Sequence, residues 1–249
     1  MSRPTIDQMG APSYGPLGDP DGFVYHTPEN GQPTLAAAIA TARWQASSLN
    51  TSGGSYHGIL GHDAERGPMA DPDAWVMVRT VPWSQAAGGL STRRDAVWAP
   101  DRFPWIRQLL SAAAFGDPNR FMLQLALGGN AAWWTSQLGT NRAGVRGALI
   151  SMARWTLRLE QLLDFDAVLT LHRHWQTNRT DPAGLNFADL VLDEYARITA
   201  PAPAPAPVDP DAARIADLER TVSRLRARIG NKNEQLDAAA VAIARAREV

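Results

Sequence analysis

An alternating proline run, Ala200-Pro-Ala-Pro-Ala-Pro-Ala-Pro207, divides this chain of 249 residues. Each proline fixes φ and removes a backbone donor, so neither helix nor sheet passes through the run and an extended, semi-rigid spacer remains. Three segments are predicted from it. They are a domain over 1–199, a Pro/Ala-rich linker over 200–212 and a C-terminal helix over 213–249.

In the first segment the hydrophobic period alternates between strand and helix values. Gly22-Phe-Val-Tyr-His26 reads as a strand that delivers His26 to a turn-rich loop, Thr27-Pro-Glu-Asn-Gly-Gln-Pro33. Thr34 is the expected N-cap of a helix over Leu35 to Ser47, with Leu35, Ile39, Ala42 and Ala46 on one face. Strands are predicted at Ser55 to Leu60, Ala74 to Val81, Phe121 to Leu127 and Val168 to Leu171. Helices are predicted at Ile106 to Phe115, Asn141 to Leu163 and Phe187 to Ile198. This mixture predicts an α/β domain, a central mixed β-sheet flanked by helices.

The tail carries a heptad pattern. Ile215, Val222, Ile229, Leu236 and Ile243 fall at position a, and Leu218, Leu225, Lys232, Ala239 and Ala246 at position d. β-branched a and Leu d in the first half favour a coiled coil, of the parallel dimeric kind, and hence a homo-oligomer through this helix. Lys232, two alanines and Gly230-Asn231 weaken the second half. The alternative is one amphipathic helix packed on the first domain.

Composition excludes several function classes. With 24 basic and 25 acidic residues the formal charge is −1, so counterion release offers no hold on nucleic acid. No apolar run approaches the roughly 18 residues of a membrane span, so no membrane insertion is expected. Residues 1–20 have neither a basic nor an apolar leader region, and no ordinary signal peptide is expected. Cysteine is absent, which leaves any metal to histidine and carboxylates. No phosphate loop, nucleophile elbow or dinucleotide fingerprint occurs. Of the basic residues only Lys232 is a lysine, and with the abundant alanine this arginine bias reads as a GC-rich genome.

The five histidines are His26, His57, His62, His172 and His174. The segment Leu171-His-Arg-His-Trp-Gln-Thr-Asn-Arg-Thr-Asp-Pro-Ala-Gly184 places a histidine at a strand end and Asp181 before a turn. A histidine and a carboxylate on adjacent loops can supply two ligands of a tetrahedral zinc, with an open position for water. His26, at another strand end, is the natural third.

Several motifs, in order, carry a resemblance. Phe23-Val-Tyr-His-Thr27, Gly54-Ser-Tyr-His-Gly-Ile59, Val81-Pro-Trp-Ser-Gln-Ala-Ala-Gly-Gly89, Asn119-Arg-Phe-Met-Leu-Gln-Leu125, His172 and Arg179-Thr-Asp-Pro182 resemble the zinc-dependent N-acetylmuramoyl-L-alanine amidase family. That family includes phage endolysins and the peptidoglycan recognition proteins. The likeness runs over nearly all of 20–198; each motif is short, and order and spacing make it specific.

The resemblance implies an amidase-type mixed sheet and a zinc ion (Zn2+) held by His26, His172 and Asp181, with His174 as competitor for His172. It implies that Arg179 stabilises the oxyanion where the family has lysine, keeping the charge but not the shape. Tyr56 matches a tyrosine that assists the zinc-activated water, with Glu29 a second group able to assist. Gln124 stands where other members have a glutamate, and glutamine cannot act as a general base. His57, Trp83 and Asn119 match substrate-binding positions. Of the nine tryptophans, most of Trp44, Trp133, Trp134 and Trp155 are expected to serve core packing, with a surface aromatic or two.

The function so implied is a phage-type endolysin that hydrolyses the amide between N-acetylmuramic acid and L-alanine of peptidoglycan. It would be held in the host cytoplasm until lysis and then act on the cell wall. The alternative is a non-catalytic peptidoglycan-binding protein on the same scaffold, with Arg179 and Gln124 as marks of lost chemistry.

Overall fold

The computed structural model describes residues 4–90 and 103–176, with helical positions at 191, 193–194, 196–198, 214–215 and 217–221. In chain order the elements are β1 (Thr5–Asp7), β2 (Ser13–Pro16), β3 (Gly22–His26), α1 (Leu35–Gln45), β4 (Gly58–His62), β5 (Trp75–Arg79) and β6 (Gln85–Ala87). They continue as α2 (Pro104–Leu109), α3 (Ala112–Gly116), β7 (Met122–Leu127), α4 (Ala131–Thr140), α5 (Arg142–Leu163), β8 (Val168–Leu171) and α6 (His172–Trp175).

Six strands form one sheet in the order β1-β5-β4-β7-β3-β8, and β2 pairs with β6 in a separate ribbon. β4 and β5 run antiparallel, whereas β3 runs parallel to both β7 and β8. The sheet is therefore mixed, as expected. β3 and β7 are buried along their whole length, which is why both read as nearly continuous apolar runs.

Alternation along the strands sorts side chains onto two faces. Phe23, Tyr25, Leu123, Leu125, Leu127, Leu169 and Leu171 share one cluster with Trp134 of α4 and with Val145, Met152, Trp155 and Leu159 of α5. The Tyr25 hydroxyl is hydrogen-bonded to the Thr156 hydroxyl at 2.6 Å, tying β3 to α5. On the opposite face Ile59, Val78 and Ala126 meet Ala38 and Ala42 of α1. Val24 and Met122 meet Ile106, Leu110, Ala114 and Trp175 on the same side. Apolar helices thus cover both faces, and the sheet edge where β3, β7 and β8 end lies between α1 and the α2–α3 layer.

Several elements differ from the sequence expectation. α1 is capped by the Thr34 hydroxyl, which accepts from Ala37 N at 3.1 Å, but its buried stripe is Ala38, Ala42 and Gln45 rather than Leu35, Ile39, Ala42 and Ala46. Trp44 consequently points outward, 47% exposed, and is one of the surface aromatics. The single helix expected over Ile106 to Phe115 is two, because Leu110 and Ser111 take extended ψ values of 152° and 153°. Serine favours helix ends over interiors, which locates the break. The predicted coiled coil lies mostly outside the described residues; Ile215 and Leu218 are helical and exposed. Contacts divide the chain into Met1–Thr199 and Ala200–Val249. Among the described residues no helix is long and apolar enough to cross a membrane.

Gly22 is where a side chain is least tolerable. A Cβ there would stand 2.1 Å from the Val168 carbonyl oxygen, a backbone atom of the strand paired with β3. Gly22→Ala must push β8 from β3, and overpacking of this kind costs about 1–3 kcal/mol. Urea unfolding is expected to show a midpoint lowered by that energy divided by the slope, with the slope itself unchanged.

Candidate metal centre

Three adjacent parallel strands present their carboxyl ends together, the place where open α/β sheets form crevices. β3 ends in His26, β8 is followed at once by His172, and β7 lies beside β3 with His26 opposite Ala126 and Val24 opposite Gln124. Even-numbered residues of β3 and β7 face away from α5, so His26 and Gln124 share the α1 side of the sheet.

The turn α6 aims His172 inward because Trp175 anchors it. Trp175 is fully buried, packs on Phe115, and its Nε1 donates to the Thr170 hydroxyl at 2.9 Å. Thr170 in turn donates to Phe23 O at 2.7 Å, so the turn is fastened to both β8 and β3.

His26 and His172 meet through their Nδ1 atoms at 3.1 Å, with ring centroids 4.6 Å apart. His26 Nε2 is 2.7 Å from Gln124 Oε1, and His172 Nε2 is 2.7 Å from Gln176 Oε1. Both histidines are nearly buried, at 1% and 6% exposure. Tyr56 packs against His26, with ring centroids 4.9 Å apart.

Two of the expected donors stand at a spacing that suits one tetrahedral ion. Two ligands on one tetrahedral ion at about 2.0–2.1 Å stand roughly 3.3 Å apart, close to the Nδ1–Nδ1 separation. Among the described residues no three His, Cys, Asp or Glu side chains come together as a metal site. The third expected ligand, Asp181, and the expected oxyanion group, Arg179, lie outside the described residues.

His174 is not brought to His26. Its Nδ1 accepts from Leu171 N at 3.1 Å, and its ring packs on Phe103 and Trp105. Burial, with the neighbouring positive charge of Arg173, pushes its pKa down to about 4. Its aromatic contacts and its role at the start of α6 account for it.

The other expected site residues fall in three places. Glu29 adopts a left-handed φ of 54°, and its carboxylate accepts from the Thr27 hydroxyl at 2.7 Å and from Ala131 N at 3.3 Å. It sits at the N-terminus of α4, where a carboxylate is favoured by the unpaired amides and the helix dipole. Asn119 spends its amide on the backbone of Leu90, accepting at 2.9 Å and donating at 2.8 Å. His57 is fully buried, with Nδ1 accepting from Gln124 N at 2.9 Å and Nε2 donating to Gln85 O at 2.7 Å. Neither Asn119 nor His57 turns a polar atom toward the histidine pair. Burial pushes the His57 pKa down to about 4, partly opposed by the bond to Gln85. Trp83 packs with Trp155 and lies 6.2 Å from the His57 ring, on the α5 side of the sheet.

Sequence reasoning missed Gln176 altogether. The available signal was spacing: His172 and Gln176 are four apart, the separation that places side chains on one helical face. It also treated Gln124 only as an absent base, whereas the side chain is hydrogen-bonded to His26.

No protein-family model and no curated protein sequence matches the chain. Solved structures similar to it include these two. One is the solution structure of the PlyG catalytic domain, with TM-score 0.45 and 15% identity over 81% of this chain and 100% of that one. The other is the N-acetylmuramoyl-L-alanine amidase LysC from Clostridium intestinale URNW, with TM-score 0.39 and 14% identity over 77% of this chain and 97% of that one. At those scores neither likeness bears on this chain's chemistry.

Proposed function

We propose that the chain is a zinc-dependent N-acetylmuramoyl-L-alanine amidase of the phage-endolysin type, acting on peptidoglycan. The observation that carries this reading is the convergence of His26 Nδ1 and His172 Nδ1 to 3.1 Å at the carboxyl ends of two paired parallel strands. The ordered motifs from Phe23 to Pro182 support it independently. His26, His172 and Asp181 would hold the zinc.

Zinc bound there supplies Lewis acidity to the substrate carbonyl and acidifies water. Water adds across the lactyl–alanine amide: oxygen joins the carbonyl carbon, the C–N bond breaks, and the freed L-alanine amine takes a proton. Tyr56, beside His26, offers a phenol that hydrogen-bonds the attacking water. Gln124 holds His26 and moves no proton. The Arg179 guanidinium stabilises the carbonyl oxygen as charge develops on it. On this reading the protein acts on the wall after leaving the host cytoplasm. The tail oligomerises, raising the local concentration of catalytic heads on an insoluble polymer.

The test is mass spectrometry of purified peptidoglycan incubated with the protein, with chelator, and with zinc restored. Stem peptides with a free L-alanine amino terminus are expected, lost with chelator and regained with zinc. Folded protein that sediments with the wall but releases no such peptide would overturn the amidase reading in favour of a binding protein.

A further inference from the structure

Resting on the zinc reading, we propose that Gln124 and Gln176 are positioning residues that select Nδ1 as the ligating nitrogen of His26 and His172. A neutral imidazole carries one proton, and the bond made by one nitrogen fixes which nitrogen holds it. The Gln124 amide is oriented by its own Nε2, which donates to Met122 O at 3.3 Å, so its Oε1 faces His26 Nε2 and accepts. His26 therefore keeps its proton on Nε2 and presents an unprotonated Nδ1. Gln176 Oε1 stands in the same relation to His172 Nε2.

At 3.1 Å the two Nδ1 atoms hydrogen-bond when one carries a proton, and when neither does they repel unless a cation lies between them. Glutamine also accepts without adding charge. The substitution of amide for carboxylate at 124 then orients a ligand, and is not a mark of lost chemistry.

The packing around Gln124 is built for this. Gln124 and Gln176 are 0% and 1% exposed. A Cβ on Gly89 would stand 2.5 Å from Gln124 Oε1 and 2.9 Å from its Cδ. Gly89 thus leaves the room in which the amide sits, and Gly89→Ala displaces it without altering the amide itself. From the other side, the bond from Gln124 N to His57 Nδ1 at 2.9 Å holds the backbone.

The experiment uses the full chain, competing zinc chloride against a chromophoric chelator and recording ring-nitrogen NMR of protein carrying 15N-labelled histidine. Gln124→Met and Gln176→Met are expected to weaken zinc binding about 10- to 100-fold, the usual effect of losing a partner behind a metal ligand. Gly89→Ala is expected to act in the same direction, and Gln124→Glu, which still accepts, to restore tight binding. Metal-free wild type is expected to show the His26 proton on Nε2.

Methionine variants that melt with the wild type and bind zinc as tightly overturn the proposal, as does a His26 proton on Nδ1. Should Gln124→Met fail to fold, Gln176→Met, Gly89→Ala and the wild-type spectrum still decide. If wild type takes up no zinc, the zinc reading fails, and the metal-free spectrum separately judges the tautomer.

Discussion

Alanine at His172, or at His26, is expected to cut release of stem peptides from peptidoglycan by more than about a hundredfold. Losing a group that merely supports a metal ligand costs up to about that much, and losing the ligand itself costs more. The two rings meet through Nδ1 at 3.1 Å, so on the zinc reading removing either would leave only one imidazole beside the Asp181 carboxylate. His174→Asn is the control. Its side-chain oxygen can replace the ring nitrogen that accepts from Leu171 N, and His174 faces Phe103 and Trp105 rather than His26. Activity retained in His174→Asn and lost in His172→Ala, by the same mass-spectrometric assay, is the expected pattern. The reverse pattern would move the ligand to His174.

Between pH 6.5 and about 4 the fold is expected to lose on the order of 3 kcal/mol through His57 alone. Burial lowers its pKa from 6.5 to about 4, so the folded protein resists taking the proton that the unfolded chain accepts. Below pH 6.5 the unfolded state binds more protons, and stability falls with pH until the folded histidine also titrates near 4. A tenfold weakening of proton affinity on folding corresponds to about 1.4 kcal/mol. His174 adds in the same direction. Urea midpoints taken with chelator present at pH 7, 5.5 and 4.5 should fall steadily, and His57→Asn should flatten the decline while lowering stability at pH 7. An unchanged pH slope in that variant would show that His57 is not the group responsible.

Whether an element could be read from sequence depended on how much of its pattern was local. β3, β7 and β8 could be read because buried strands are nearly continuous apolar runs, and α5 because its apolar stripe repeats along 22 residues. α4 could not: Ala131-Ala-Trp-Trp-Thr-Ser-Gln-Leu-Gly-Thr140 has no charged residue to mark a polar face. Its start depends on Asn130, whose side chain accepts from Trp133 N at 2.7 Å, and on Trp134 reaching the core. β1, β2 and β6 are too short for alternation to show.

For the candidate site, the sequence by itself determined which chemistry is available. Lacking cysteine and having few histidines, the chain leaves metal binding to imidazole and carboxylate, and the strand ends at His26 and Leu171 mark where two histidines emerge. The sequence favours His172 over His174 by its place directly after the strand; that its ring meets His26, and the engagement of Gln124 and Gln176, come only from the tertiary structure. His172 and His174 are equally polar and two residues apart. What separates them is the anchoring of Trp175 on Thr170, which turns one ring toward β3 and leaves the other among Phe103 and Trp105. Gln124 and His26 are 98 residues apart and meet only because β3 pairs with β7 in parallel. Periodicity records which face of an element is buried; which polar side chains meet there is fixed by strand register.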